Sequence, residues 1–172
     1  MGFPLWLNLL SCVFIGGCFG ALNGIIVTKI GINSIITTLG TMALIRGLTY
    51  WIAMDVEAME VGRITDPAFL NFGRYYFPEK YRLIPFTLVY IIVLYGISAL
   101  FLNHTSFGRQ IYAVGSNEAT ARLAGINVKR VKFVCYILAG MLSAFGGLVL
   151  VAQLGLGAVS YTHLRAHETR ED

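Results

Sequence analysis

Apolar residues fall into four long blocks along the chain, covering about residues 5–27, 32–54, 83–102 and 131–157. The first and third blocks hold no charged side chain, the second holds only Arg46, and the fourth has Lys132 at its mouth. A bilayer core is about 30 Å thick and is crossed by roughly 20 apolar helical residues. Backbone amides in lipid must be satisfied within their own segment, and uncharged runs of this length are too long for strands. The pattern therefore predicts an all-α, polytopic transmembrane helical bundle of about four spans, lodged in a lipid bilayer.

Composition agrees. Of 172 residues, 56% are hydrophobic and 13% are charged, and the mean hydropathy is +0.70. A soluble globule spreads its apolar residues periodically, whereas blocks of this kind mark a membrane protein. The first block lacks a basic leader and exceeds the core of a secretory signal, which argues against a signal peptide. Cys12, Cys18 and Cys135 all fall inside apolar blocks without CxxC spacing and read as small buried hydrophobes.

Between the blocks, Lys and Arg number one around Lys29, four in residues 55–82, and five in residues 103–132. Alternate connections share a side of the membrane, so six cations face four, and the positive-inside rule places residues 103–130 in the cytoplasm. On that topology Asn103-His104-Thr105 is a chance match to a glycosylation sequon.

Within the spans, Gly16, Gly20 and Gly24 recur every four residues on one helix face, and Ala139, Ser143 and Gly147 repeat the device in the fourth span. Small residues at this spacing are helix-packing seams. Asn33, Thr37 and Thr41 form a polar stripe at i, i+4 and i+8. With Arg46 they are candidate pathway or interhelix polar positions. Arg46 either points into a bundle or aqueous path, because a charge at mid-bilayer costs roughly 2.5–3.5 kcal/mol on insertion scales, or sits near a helix end at Gly47 and reaches the interface.

No catalytic, cofactor-binding or metal site shows itself. GxxxxGK[ST] and HExxH are absent, and His163 and His167 have i, i+4 spacing but no third ligand. Nothing points to a nucleic-acid partner.

The polar segment "GRQIYAVGSNEATARLAGINVKRVK" at 108–132 is the remaining feature. Ser116 or Asn117 can cap a helix start, Glu118 suits its N-terminal dipole, and Gly125 can end it in the left-handed conformation. About two turns result, too few to be stable in isolation. Ala119, Ala121 and Ala124 are small, Leu123 is the one large apolar knob, and Ile126 lies just beyond. Such a helix suits a groove on a partner; the alternative is a plain connector between two spans.

Taken together, "GALNGIIVTK" at 20–29, "ITTLGTMALIRGLTYW" at 36–51 and "HTSFGRQIYAVGSNEATARLAGINVKRVK" at 104–132 closely resemble the ribose-type permeases of bacterial ABC sugar importers. The likeness covers about residues 5–158. It implies that the third segment is a cytoplasmic loop coupling the permease to an ABC ATPase subunit. Gly115, Asn117, Glu118, Ala121, Arg122, Gly125 and Ile126 would form the coupling motif, flanked by Arg109, Lys129 and Arg130. It further implies an inner-membrane importer of a simple, ribose-like sugar working by alternating access. Its partners would be a periplasmic sugar-binding protein and a second permease copy, with ATP and Mg held by the ATPase and no cofactor in this chain.

Four spans would be less than half of such a permease, beginning near the family's third span and stopping before a further membrane segment. Residues 159–172 resemble translated adapter read-through and are expected to be a non-native tail. Two other classes stay open. One is a same-superfamily permease for nucleosides, branched-chain amino acids or a signalling sugar; the other is a membrane scaffold protein or enzyme, which should show an ionisable cluster within the spans.

Overall fold

The computed structural model describes residues 5–55, 76–77 and 84–154. It comprises α1 (Leu5–Ile25) continued by a π-helical turn (Ile26–Ile30), α2 (Ser34–Asp55), a two-residue antiparallel ladder of β1 (Tyr76–Phe77) and β2 (Ile84–Pro85), α3 (Phe86–His104), α4 (Ser106–Ser116), α5 (Glu118–Leu123) and α6 (Val128–Leu154). In the ladder Tyr76 pairs with Pro85 and Phe77 with Ile84. Among the described residues four helices are long and apolar enough to cross a membrane: Trp6–Ile30, Ser34–Ile52, Thr87–His104 and Val128–Gln153. The expected all-α transmembrane bundle is what folds. Trp6, Phe14 and Tyr95 are among many exposed apolar side chains, as expected where lipid or neighbouring protein replaces water.

Helices α1 and α6 form the main pair, and glycine makes the contact close. A Cβ on Gly16 would come within 2.6 Å of the Gly140 carbonyl oxygen, and one on Gly24 within 2.8 Å of Phe133 Cδ2. Gly20 abuts the Tyr136 carbonyl oxygen, and Gly140 faces Gly16 and Gly20 in return. The Cys12 thiol donates to the Ala144 carbonyl across the same seam, at 3.6 Å. On α6 the seam thus runs through Phe133, Tyr136, Gly140 and Ala144, not through the expected Ala139, Ser143 and Gly147. Those three are exposed, and Gly147 has open space where a Cβ would stand. α6 does bring small residues to the contact, Gly140 and Ala144, but each stands one position on from the expected Ala139 and Ser143. Nor are all three cysteines buried: Cys18 is exposed, and Cys12 and Cys135 are half-buried.

Local chemistry accounts for the turn after α1. The Thr28 hydroxyl donates to the Gly24 carbonyl at 2.6 Å, and the Gly31 amide donates to the Ile26 carbonyl at 3.1 Å, closing a wide turn. Gly31 adopts φ +83°, a conformation that favours glycine. Asn33 then caps α2 by accepting from the Ile35 amide at 2.9 Å. The helix runs without a break through Gly47 to Asp55, so Gly47 is not the helix end.

α2 meets α1 through its polar stripe. Thr37 and Thr41 are its buried polar residues. The Thr41 hydroxyl donates to Asn23 Oδ1 of α1 at 2.5 Å, while the Thr37 hydroxyl donates to the Asn33 carbonyl at 3.0 Å. At 100° per residue Arg46 lies roughly 140–180° around the helix from these threonines. It is exposed, one turn short of Tyr50 and Trp51, an aromatic pair of the kind that marks a membrane interface.

α3 packs on the far end of α6. Tyr90 and Phe145 meet edge to face with centroids 6.1 Å apart, and the Gln153 amide donates to the Thr87 hydroxyl.

Candidate functional site

The polar segment folds as two short helices rather than one. α4 was not expected from the sequence, although Phe107, Ile111 and Val114 recur at i, i+4 and i+7 and form an apolar face. Thr105 starts it, accepting from the Gly108 amide at 3.0 Å and donating to the Phe101 carbonyl at 2.6 Å. A Cβ at Gly108 would stand 2.7 Å from Leu102 Cα, so glycine there lets the chain fold sharply from α3 into α4.

Of the two proposed caps, Asn117 starts α5: its side chain accepts from the amides of Ala119 and Thr120 at 2.9 and 3.1 Å. Ser116 instead ends α4. At the other end the Gly125 amide donates to the Arg122 carbonyl and the Ile126 amide to the Ala121 carbonyl, both at 3.0 Å. With Gly125 at φ +79°, this is a Schellman motif, which satisfies the carbonyls at a helix end. Asn127 then caps α6, accepting from the Arg130 amide at 3.1 Å.

Buried Val114, Ala121, Val128 and Val131 form one small core, with Phe107, Ile111, Ile126 and Cys135 packed against it. α4, α5 and the foot of α6 are therefore a folded unit, and a short helix that could not stand alone is held by tertiary contact. Ala121 is 2% exposed whereas Leu123 is 89% exposed, the most exposed large apolar side chain among the described residues. Of the small residues Ala121 turns inward while Ala119 and Ala124 are exposed, and the one knob turns outward. Arg122, Lys129 and Arg130 are exposed as well. Arg109 folds back to donate to the Ser106 hydroxyl at 2.9 Å.

Glu118 bridges α5 to α6. Its carboxylate pairs with the Lys132 ammonium and stands 3.7 Å from Arg122 of its own helix. The hydrogen bond from Lys132, reinforced by the charges of Lys132 and Arg122, holds the Glu118 carboxyl below the ordinary carboxylate range. Because the folded value is lowered, the bridge contributes in full above that ordinary range and is lost as pH falls through the lowered one. Replacing Lys132 with methionine is expected to raise the midpoint of the Glu118 carboxyl titration, followed by carbon NMR. An unmoved midpoint would show that Lys132 is not its partner.

A cleft of about 580 Å³ separates this unit from the turn between α1 and α2, with Gly31, Asn33 and Ser34 on one wall and Gly115, Lys132 and Tyr136 on the other. The first and third polar connections therefore lie at one end of the bundle, the arrangement that the cation count requires.

The sequence-predicted positions divide as follows. Glu118, Ala121 and Ile126 turn toward the protein's own core or α6; Gly115, Asn117, Arg122 and Gly125 lie on the surface. Asn33, Thr37 and Thr41 are engaged in capping and helix contacts, and Arg46 stands apart on the opposite face. Asn23 was missed, although an amide inside an apolar span is a signal that could have found it. Among the described residues no group of three or more His, Cys, Asp or Glu could hold a metal; His163 and His167, like the 159–172 tail, lie outside them.

Comparison with known proteins bears on what the unit is for. A family model described as "Branched-chain amino acid transport system / permease component" matches residues 1–166. The L-arabinose transport system permease protein AraH of Escherichia coli K12 is 35% identical over 153 residues, 89% of this chain and 44% of that protein. The ribose import permease protein RbsC of Bacillus subtilis 168 is 39% identical over 132 residues, 77% of this chain and 39% of that protein. The galactose/methyl galactoside import permease protein MglC of Haemophilus influenzae Rd is 30% identical over 156 residues, 88% of this chain and 45% of that protein. The chain thus spans less than half the length of these relatives. No solved structure matches it. A four-span bundle with these relatives along most of its length belongs to the branched-chain amino acid transport system / permease family, among its ribose-type sugar permeases.

Proposed function

We propose that this chain is part of the membrane-spanning permease subunit of a bacterial ABC importer for a simple, ribose-like sugar, seated in the inner membrane. One observation carries the reading: α5 presents an exposed Leu123, beside the exposed Arg122, from a unit whose core is continuous with the foot of a membrane span. A short helix of this kind fits a groove on a partner, and a partner that moves it moves the span. In this reading Leu123 and Arg122 meet an ABC ATPase subunit, which binds ATP and Mg. Closure of that subunit moves α5 and α6 and reorients the pathway between inward and outward access. The two states differ in how they hold α5, since only differential contacts can bias a two-state element. A periplasmic sugar-binding protein delivers the substrate, and a second permease copy completes the pore. This chain performs no chemistry.

The family model's description favours one competing substrate class, the branched-chain amino acids. Full-length permease assembled with its ATPase and binding protein in ATP-loaded vesicles is expected to take up ribose, arabinose or galactose. Uptake of leucine or valine with none of the sugars would transfer the assignment to amino acids.

A further inference from the structure

The segment around α5 is not a uniform contact surface, because its one acid, though part exposed, pairs with α6. Glu118 is the only acidic residue between Glu79 and Glu168, and it stands between Lys132 and Arg122. Among these cations its carboxylate pairs with Lys132 of α6, more closely than with Arg122 of its own helix. Its other neighbours are fixed: Asn117 caps the helix from the preceding position, and Ala121, one turn on, is buried against Val114, Val128 and Val131. Lys132 in turn lines the cleft facing the turn between α1 and α2.

We propose that Glu118 is a positioning residue that works inward, forming with Lys132 a strut between the docking helix α5 and the foot of α6. A force applied at Leu123 is thereby delivered to the span instead of being dissipated in the Ala124–Asn127 turn. Ala121 supplies the apolar half of this joint and the Glu118–Lys132 pair the polar half. The two halves hold α5 from successive turns and so fix its rotation as well as its position. The inference rests on the docking role of α5, yet it makes a separate claim: Glu118 acts through α6 and not through the partner.

Reversal and exchange of the charges test it in the full-length permease assembled with its ATPase. Glu118→Lys and Lys132→Glu, each alone, are expected to leave the ATPase associated while uptake per ATP hydrolysed falls about fivefold, and the double exchange is expected to recover most of that loss, as for a directly coupled pair. Glu118→Gln gives a milder version should a reversal fail to assemble. Loss of ATPase association on Glu118→Lys, or an exchange no better than the single variants, would overturn the strut and make Glu118 a partner contact. The docking role itself fails by a different readout, retained association of a Leu123→Asp variant, so the two failures are distinguishable.

Discussion

Replacing Gly140 with leucine is expected to part α1 from α6 and cost the protein its fold. The atoms in the way are backbone: Gly16 carbonyl oxygen, and Gly20 Cα at 2.9 Å and N at 3.1 Å from where a Cβ would be. Overpacking a core typically costs about 1–3 kcal/mol when side chains can shift. Here two helix backbones must separate, and the loss spreads along Gly16, Gly20 and Gly24, so the effect should reach or exceed the top of that range. The measurement is the fraction of detergent-extracted protein that elutes as one species, against temperature. Gly147→Leu, on the same helix but with nothing within 4 Å, should elute as the unaltered protein does; equal damage from both would mean that the seam is misplaced.

Leu123→Asp is expected to leave the fold untouched and abolish docking. At 89% exposed the side chain contributes little to the protein's own core, whereas burying a leucine is worth about 1.5–3 kcal/mol. If it is the central anchor of an interface, its loss costs about 2 kcal/mol or more, a drop of roughly thirtyfold in association. A buried carboxylate in the partner's groove adds a desolvation penalty. Elution and melting should match the parent, while ATPase recovered with the permease falls. Ala121→Asp would do the reverse of a clean test, because a charge placed in the Val114–Val131 core should unfold the unit.

These two positions show what could be read from the chain and what could not. The spans were legible because lipid demands long uncharged helices, and the caps at Asn117 and Gly125 because their side-chain and backbone chemistry is local. Gly16, Gly20 and Gly24 could be placed on one face from spacing alone. Their partner could not, since α6 carries small residues on two adjacent stripes and spacing does not choose between them; the one it uses, Gly140 and Ala144, is continued by the larger Tyr136 and Phe133. α4 was overlooked because its apolar face holds only three large residues, and the fold gives that face a use by closing it over Ala121 and Val131. The polar stripe at Thr37 and Thr41 was visible, but its partner Asn23 lies 18 residues away from Thr41, and pairing at that distance is set by how α1 and α2 turn back on one another at Gly31. Glu118 offered the same difficulty: spacing suited it to a helix dipole, and only the return of the chain through Gly125 and Asn127 brings Lys132 beside it.

The central claim is that α5 docks through Leu123 on an ATPase subunit. A photo-reactive residue in place of Leu123, irradiated in membranes that hold the full-length permease with its ATPase, tests it most directly. The account predicts a covalent permease–ATPase adduct from this position, with a yield that changes when ATP is bound, and none from the same group in place of Tyr95, which is 77% exposed on α3. Equal yields from both positions, or no adduct from position 123 in a complex that still transports, would contradict it.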